Sequence, residues 1–144
     1  MSTHEIISSR VLKANVKTVY ESFENPEHLA KWWGPEGFTN TFHEFDLRPG
    51  GKWILTMHGP DKGNYENSSE FTIVNPLQLV ACKRFSKPLF AMEVQFEKIE
   101  DFKTRILFKM TFDSAEETEK MRKYVEPKNE ENFDRLEREL AIMK

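Results

Sequence analysis

The sequence predicts an α+β fold: a curved antiparallel sheet wrapped around one long C-terminal helix, with two short helices between the first and second strands. Three observations predict it. From Phe42 to Phe112 the chain is a succession of strand-length segments parted by Gly, Pro and Asn turn signals, the mark of an antiparallel meander. The last two of these segments gather Phe90, Met92, Val94 and Phe96 with Ile106, Phe108, Met110 and Phe112 on one apolar face, which another element must cover. The tail supplies that cover, because Phe133, Leu136, Leu140 and Met143 form a helical stripe opposite Glu131, Arg135, Glu137, Arg138 and Glu139.

Taken in order, residues 4–12 are β-branched and alternating, a strand with Ile6, Ser8 and Arg10 on one side and Ile7, Ser9 and Val11 on the other. At Asn15 the period changes to that of a helix through Val16, Val19, Tyr20 and Phe23, with Asn15 as N-cap. Asn25-Pro26 ends it and opens a second short helix, Pro being well placed in a first turn, and this helix closes at Trp32-Trp33-Gly34-Pro35. Phe42, Glu44 and Asp46 alternate with His43, Phe45 and Leu47 until Arg48-Pro49-Gly50-Gly51 reverses the chain into Lys52–His58, a hairpin whose Gly pair supplies positive φ. Strands follow at 65–74 and 77–85, divided by the 59–64 turn and by Asn75-Pro76, before the apolar pair that turns at Asp101. Residues 114–126 read as a helical piece, and Pro127 as a kink or as the start of the closing helix.

Composition narrows the function classes. The 144 residues suit a single domain spanning 1–144, with roughly 70% of the unfolded surface buried on folding. A formal charge of −3 with both signs interspersed offers no basic field for nucleic acid, and no apolar run reaches the ~18 residues of a membrane span. One cysteine, Cys82, forms no internal disulfide, and the N-terminus lacks the pattern of an export signal, so a cytoplasmic location is expected. The four histidines have no ligand-like spacing, so neither a metal nor a cofactor is expected. No triad, elbow or paired-carboxylate spacing marks a catalytic residue; acid or base work would fall to His43, Glu44, His58, Tyr65 or Arg84. Twelve Phe, three Trp and six Met exceed what a minimal core requires and point to a roomy interior for a small apolar guest. Its expected lining is Trp32, Trp33, Trp53, Leu55, Met57, Phe71, Ile73, Met92, Val94, Phe96, Ile106, Phe108, Met110, Phe133, Leu136 and Leu140.

The order of elements carries a family resemblance. Together with Trp32-Trp33-Gly34-Pro35, Asp46-Leu47-Arg48-Pro49-Gly50-Gly51-Lys52-Trp53, the Gly59-Pro60-Asp61 turn, Asn75-Pro76 and Lys103-Thr104-Arg105, it resembles the bacterial proteins named after the activator of the 90-kDa heat-shock-protein ATPase. Those proteins belong to the START-like, or SRPBCC, superfamily with the birch-pollen-allergen helix-grip fold. At Lys128-Asn129 this chain departs from a Gly-Trp that such proteins often carry. The resemblance implies the helix-grip fold, and the apolar surplus within that fold points to a module binding a small apolar or lipid-like molecule, expected as monomer or homodimer. The alternatives are a chaperone partner in a stress response, which the resemblance implies, and a polyketide cyclase- or dehydratase-like enzyme, for which polar groups on otherwise apolar strands would serve.

Overall fold

The computed structural model describes residues 4–143. Its strands are β1 (Glu5–Leu12), β2 (Thr39–Phe45), β3 (Lys52–His58), β4 (Asn64–Asn75), β5 (Leu79–Arg84), β6 (Ala91–Glu100) and β7 (Lys103–Thr111). Helices α1 (Val16–Glu24) and α2 (Pro26–Trp32) lie between β1 and β2, and α3 (Ala115–Ile142) closes the chain. The sheet order is β1-β7-β6-β5-β4-β3-β2 and every neighbour is antiparallel, so β2 to β7 form a six-stranded meander and β1 returns to the edge of β7. This is the helix-grip architecture that the sequence predicts.

Local chemistry sets the boundaries. The side chain of Asn15 accepts from the Lys17 amide at 2.7 Å and that of Asn25 from the Glu27 amide at 3.0 Å, each satisfying a first-turn N–H that its helix cannot. Ser114 does the same for α3 by accepting from the Glu117 amide at 3.1 Å. In the β2–β3 turn the two glycines have different duties. Gly50 adopts a φ of 86°, whereas Gly51 is required for space, since a Cβ there would lie 1.9 Å from the Asp46 carbonyl oxygen.

Four departures from the expected pattern matter for the site. Alternation places Phe42 and Phe45 on opposite faces of β2, but the register shifts between Phe42 and Glu44. The bulge turns both rings inward, where they stack with centroids 5.7 Å apart. A second shift, between Phe71 and Ile73, leaves Ile73 40% exposed outside the core, and Val74 takes the inner position. α3 is one continuous helix with Pro127 inside it; Lys123, whose carbonyl Pro127 cannot serve, is exposed to water. Finally, Arg135 and Glu139, expected on the solvated face of α3, are buried.

The inner face and α3 meet as filled aromatic packing. Phe133 is fully buried, with its ring centroid 4.7 Å from that of Phe108. Trp33 stands 5.0 Å from Trp53 and 5.7 Å from Phe108, and Trp53 stacks on Phe71 at 5.9 Å. Trp32, Leu55, Met92, Val94, Phe96, Ile106, Met110, Leu136 and Leu140 complete this cluster. The rings expected to border an open interior here touch one another, because edge-to-face and offset contacts at 5–6 Å fill the space between a sheet and a helix.

Candidate functional site

Space for a ligand lies at one end of the grip, where β3, β4 and β5, the loop after α2 and the middle of α3 fail to close on one another. The basin has a volume of about 670 Å³. Pro35, Phe38, Met57 and Tyr65 supply its apolar wall, and Asn67, Arg84, Lys87 and Lys128 its polar one. Of the sixteen residues expected to line a cavity, Met57 is the one that borders this basin.

Each wall is built by its sequence neighbours. The loop carrying Pro35 and Phe38 is clamped from α3: Arg135 donates to the carbonyls of Lys31, Trp33, Gly34, Pro35 and Phe38 at 2.8–3.0 Å. These oxygens include the end of α2, where the helix dipole is negative and a guanidinium is favoured. Asn132 adds a donor to the Trp32 carbonyl at 2.6 Å and accepts from the Gly34 amide. Gly34, with φ 96°, lets the loop approach β3, since a Cβ there would come within 2.7 Å of the Met57 methyl. In the same wall the Tyr65 hydroxyl donates to Asp61 at 3.0 Å, which raises the tyrosine above its ordinary range. The Gly63 amide, chiefly, and this hydroxyl hold the Asp61 carboxyl below its usual one. Phe38 and Tyr65 face each other at 6.0 Å.

The polar wall centres on Arg84, which shares the inner face with Ser69, Asn67 and Cys82. Its Nη1 donates to Asn67 Oδ1 at 2.6 Å, its Nε to the Pro88 carbonyl at 2.9 Å, and its Nη2 to Ser86 Oγ at 3.1 Å and the Lys87 carbonyl at 3.3 Å. The guanidinium also lies 5.0 Å over the Phe90 ring. Burial depresses its pKa from the ordinary value.

Of the five candidates for acid or base work, Tyr65 and Arg84 border the basin. His43 and His58, on the β2–β3 pair, stand outside the lining, although their hydrogen-bond chains end at Glu66 and Asn64, which border it: His43 Nε2 lies 2.8 Å from Thr56 Oγ1, which donates to Glu66 at 2.8 Å, while His58 sits 2.8 Å from Thr41 Oγ1 and 2.7 Å from Asn64 Oδ1. Glu44 pairs with Ile54 there, away from the basin. Among the described residues no cluster of His, Cys, Asp and Glu is arranged to hold a metal ion. No described helix is long and apolar enough to cross a membrane. At Lys128-Asn129, Lys128 borders the basin while Asn129 turns inward and donates to Ser8 Oγ at 3.1 Å.

Sequence reasoning missed Arg135, Asn132 and Asn67. The spacing 129, 132, 136, 140 places Asn129 and Asn132 on the same arc as the apolar stripe, a signal that the buried arc of α3 is wider than its apolar residues. Asn67 and Ser69 share the inner face of β4 with Phe71, but two polar residues at period two read equally well as a hydrated face.

Comparison with known proteins agrees with the fold. A Nitrosomonas europaea protein superposes with a TM-score of 0.88 at 18% identity over 99% of this chain and 97% of its own. An Arthrobacter aurescens protein gives 0.87 at 24% over 96% and 87%. The AHSA1 protein of Silicibacter pomeroyi gives 0.77 at 17% over 97% and 99%. At such identities the likeness shows the fold alone. No curated protein matches the chain in sequence. Residues 13–141, however, match a sequence family across nearly the whole grip, from the end of β1 to the last turn of α3, and the chain therefore belongs to the Activator of Hsp90 ATPase homolog 1-like protein family, of SRPBCC fold.

Proposed function

We propose that this protein is a single-domain binding module, cytoplasmic and without a cofactor, that takes a small apolar or lipid-like molecule into the basin at the open end of the grip. The observation that carries the reading is a hollow of about 670 Å³ with an apolar wall of Phe38 and Met57 facing a hydrogen-bonded polar wall at Asn67 and Arg84. Ligand sites of ~300–1,000 Å³ combine apolar area with a few convergent polar groups, and this one does both. The filled aromatic core behind it serves as a rigid floor that fixes Met57 and the loop after α2. Backbone amide spectra recorded against a panel of fatty acids, alcohols and aromatic molecules test it. The expected result is a set of shifts confined to residues 35–38, 57, 64–67, 84–88 and 128; a panel without any such response overturns the reading.

A second reading is favoured by one observation. Phe85 and Leu89, 49% and 44% exposed, stand beside the basin wall, and the family's name points to a chaperone ATPase. Addition of the protein to the 90-kDa chaperone would then raise ATP turnover, and Phe85→Ser with Leu89→Ser would abolish the rise; unchanged turnover removes this reading.

A further inference from the structure

We infer that the basin selects organic anions, an apolar body carrying one carboxylate or phosphate group that is received between Arg84, Lys87 and Lys128. This rests on the basin being a binding site at all. The chain as a whole carries a formal charge of −3, yet three cations border this hollow with one carboxylate, Glu66, whose Oε1 already accepts from Thr56.

Arg84 is the reason to expect an anion rather than a neutral guest. Its bonds to Asn67, Ser86 and the carbonyls of Lys87 and Pro88 are all to neutral acceptors, which satisfy N–H groups without cancelling the charge. A guanidinium has five N–H groups, and the second one on Nη1 has no acceptor in this set. The other inward arginines are compensated. Arg10 meets the carboxylates of Glu130, Asp134 and Glu137, and Arg135 sits at the negative end of α2. Arg84 has neither, and burial disfavours its charged form.

The two lysines extend this field from separate elements, Lys87 from the β5–β6 loop and Lys128 from α3. Neither makes an ion pair among the described residues. Asp113 and Glu117 share a neighbouring hollow with Lys87 without pairing with it, and Asp61 is occupied by Gly63 and Tyr65. An anion seated here gains charge-assisted hydrogen bonds in a partly desolvated place, while its apolar body covers Phe38 and Met57.

Calorimetric titration with three probes of one ring tests this: 2-naphthoate, 2-naphthyl phosphate and 2-naphthalenemethanol. The expected result is that at least one anion binds ten or more times more tightly than the alcohol, by a margin that shrinks as salt rises, on the order of the screening expected at a half-open site. The tighter of the two anions identifies the headgroup. Because Arg84→Gln would also loosen the loop that Arg84 holds, the decisive variant is Lys87→Gln with Lys128→Gln, neither side chain being bonded. That variant is expected to cut the margin at least threefold, an order-of-magnitude figure for losing two nearby charges. An alcohol that binds as well as both anions, or a margin indifferent to the double variant, overturns anion selection while leaving the binding module in place. No binding by any of the three also overturns it, and the module itself is then judged by the wider panel.

Discussion

Arg135 shows what a single side chain does in this molecule. One guanidinium gathers five backbone carbonyls from Lys31 to Phe38, and in doing so it shapes one wall of the basin. Arg135→Met keeps the volume and removes the donors, so the carbonyls lose their partners in a buried place. The expected cost is about 3 kcal/mol in urea unfolding, and Arg135→Lys should recover less than half, because an ammonium cannot match the planar fork. A loss below about 1 kcal/mol would mean that water replaces the guanidinium without difficulty. Cys82 gives a prediction in pH. Burial pushes its thiol from 9.0 up to about 11, against weaker opposing effects of Arg84 and Ser69. The folded protein therefore keeps a proton that the unfolded chain releases first. Stability from this group is whole below about pH 9 and is lost as pH rises through about 11, by roughly 2–3 kcal/mol. Tyr20, raised by burial, acts in the same direction, so the test is a comparison. Between pH 8 and 10.5 the native protein should lose more stability than Cys82→Ala, and parallel slopes would contradict the assignment. Neither residue's role is legible in the sequence. Arg135 lies among five charged residues that read as a wet helix face, and nothing local says that a loop a hundred residues away will fold over it.

Elements were far more legible than their side-chain contacts. Among the described residues the three helices and seven strands have their signals in short-range chemistry, from Asn15, Asn25 and Ser114 at the helix starts to the Gly and Pro turns between strands. What escaped was the bulges, because one extra residue inverts every face beyond it and leaves no compositional mark. Thus Phe42 joins Phe45 indoors while Ile73 is turned out. The β2–β3 turn offers a discriminating measurement. Gly50→Ala must hold a non-glycine residue at φ 86° with open space around it, at a cost of about 1 kcal/mol. Gly51→Ala must instead displace the Asp46 carbonyl, so we expect more than about 2 kcal/mol. Chemical denaturation of the two variants should give this order, and the reverse order would mean that backbone strain outweighs crowding in this hairpin.

For the whole molecule, the sequence carried the architecture and the inventory of apolar residues but not the distribution of empty space. A surplus of Phe, Met and Trp reads equally as the lining of a void or as large pieces that interlock, and only packing decides between them. Here they interlock behind the basin, with Phe133 against Phe108 at 4.7 Å, and the hollow of about 670 Å³ sits at one end of the grip among polar groups that periodicity assigns to solvent. This division predicts the response to an artificial hole. Phe133→Ala removes a fully buried ring from the centre of the contact between α3 and the sheet. The expected cost is about 3–5 kcal/mol, as for other large-to-small changes in close-packed cores. The vacated space would be apolar and dry, and therefore able to take xenon or benzene. Methyl spectra of Leu136 and Ile106 should then respond to benzene in Phe133→Ala and stay unmoved in the native protein, while ligands of the basin still shift Met57 in both. Native Leu136 and Ile106 responding to benzene as strongly as the variant would show that the core behind the basin is already hollow, and the rigid-floor account of the site would have to be given up.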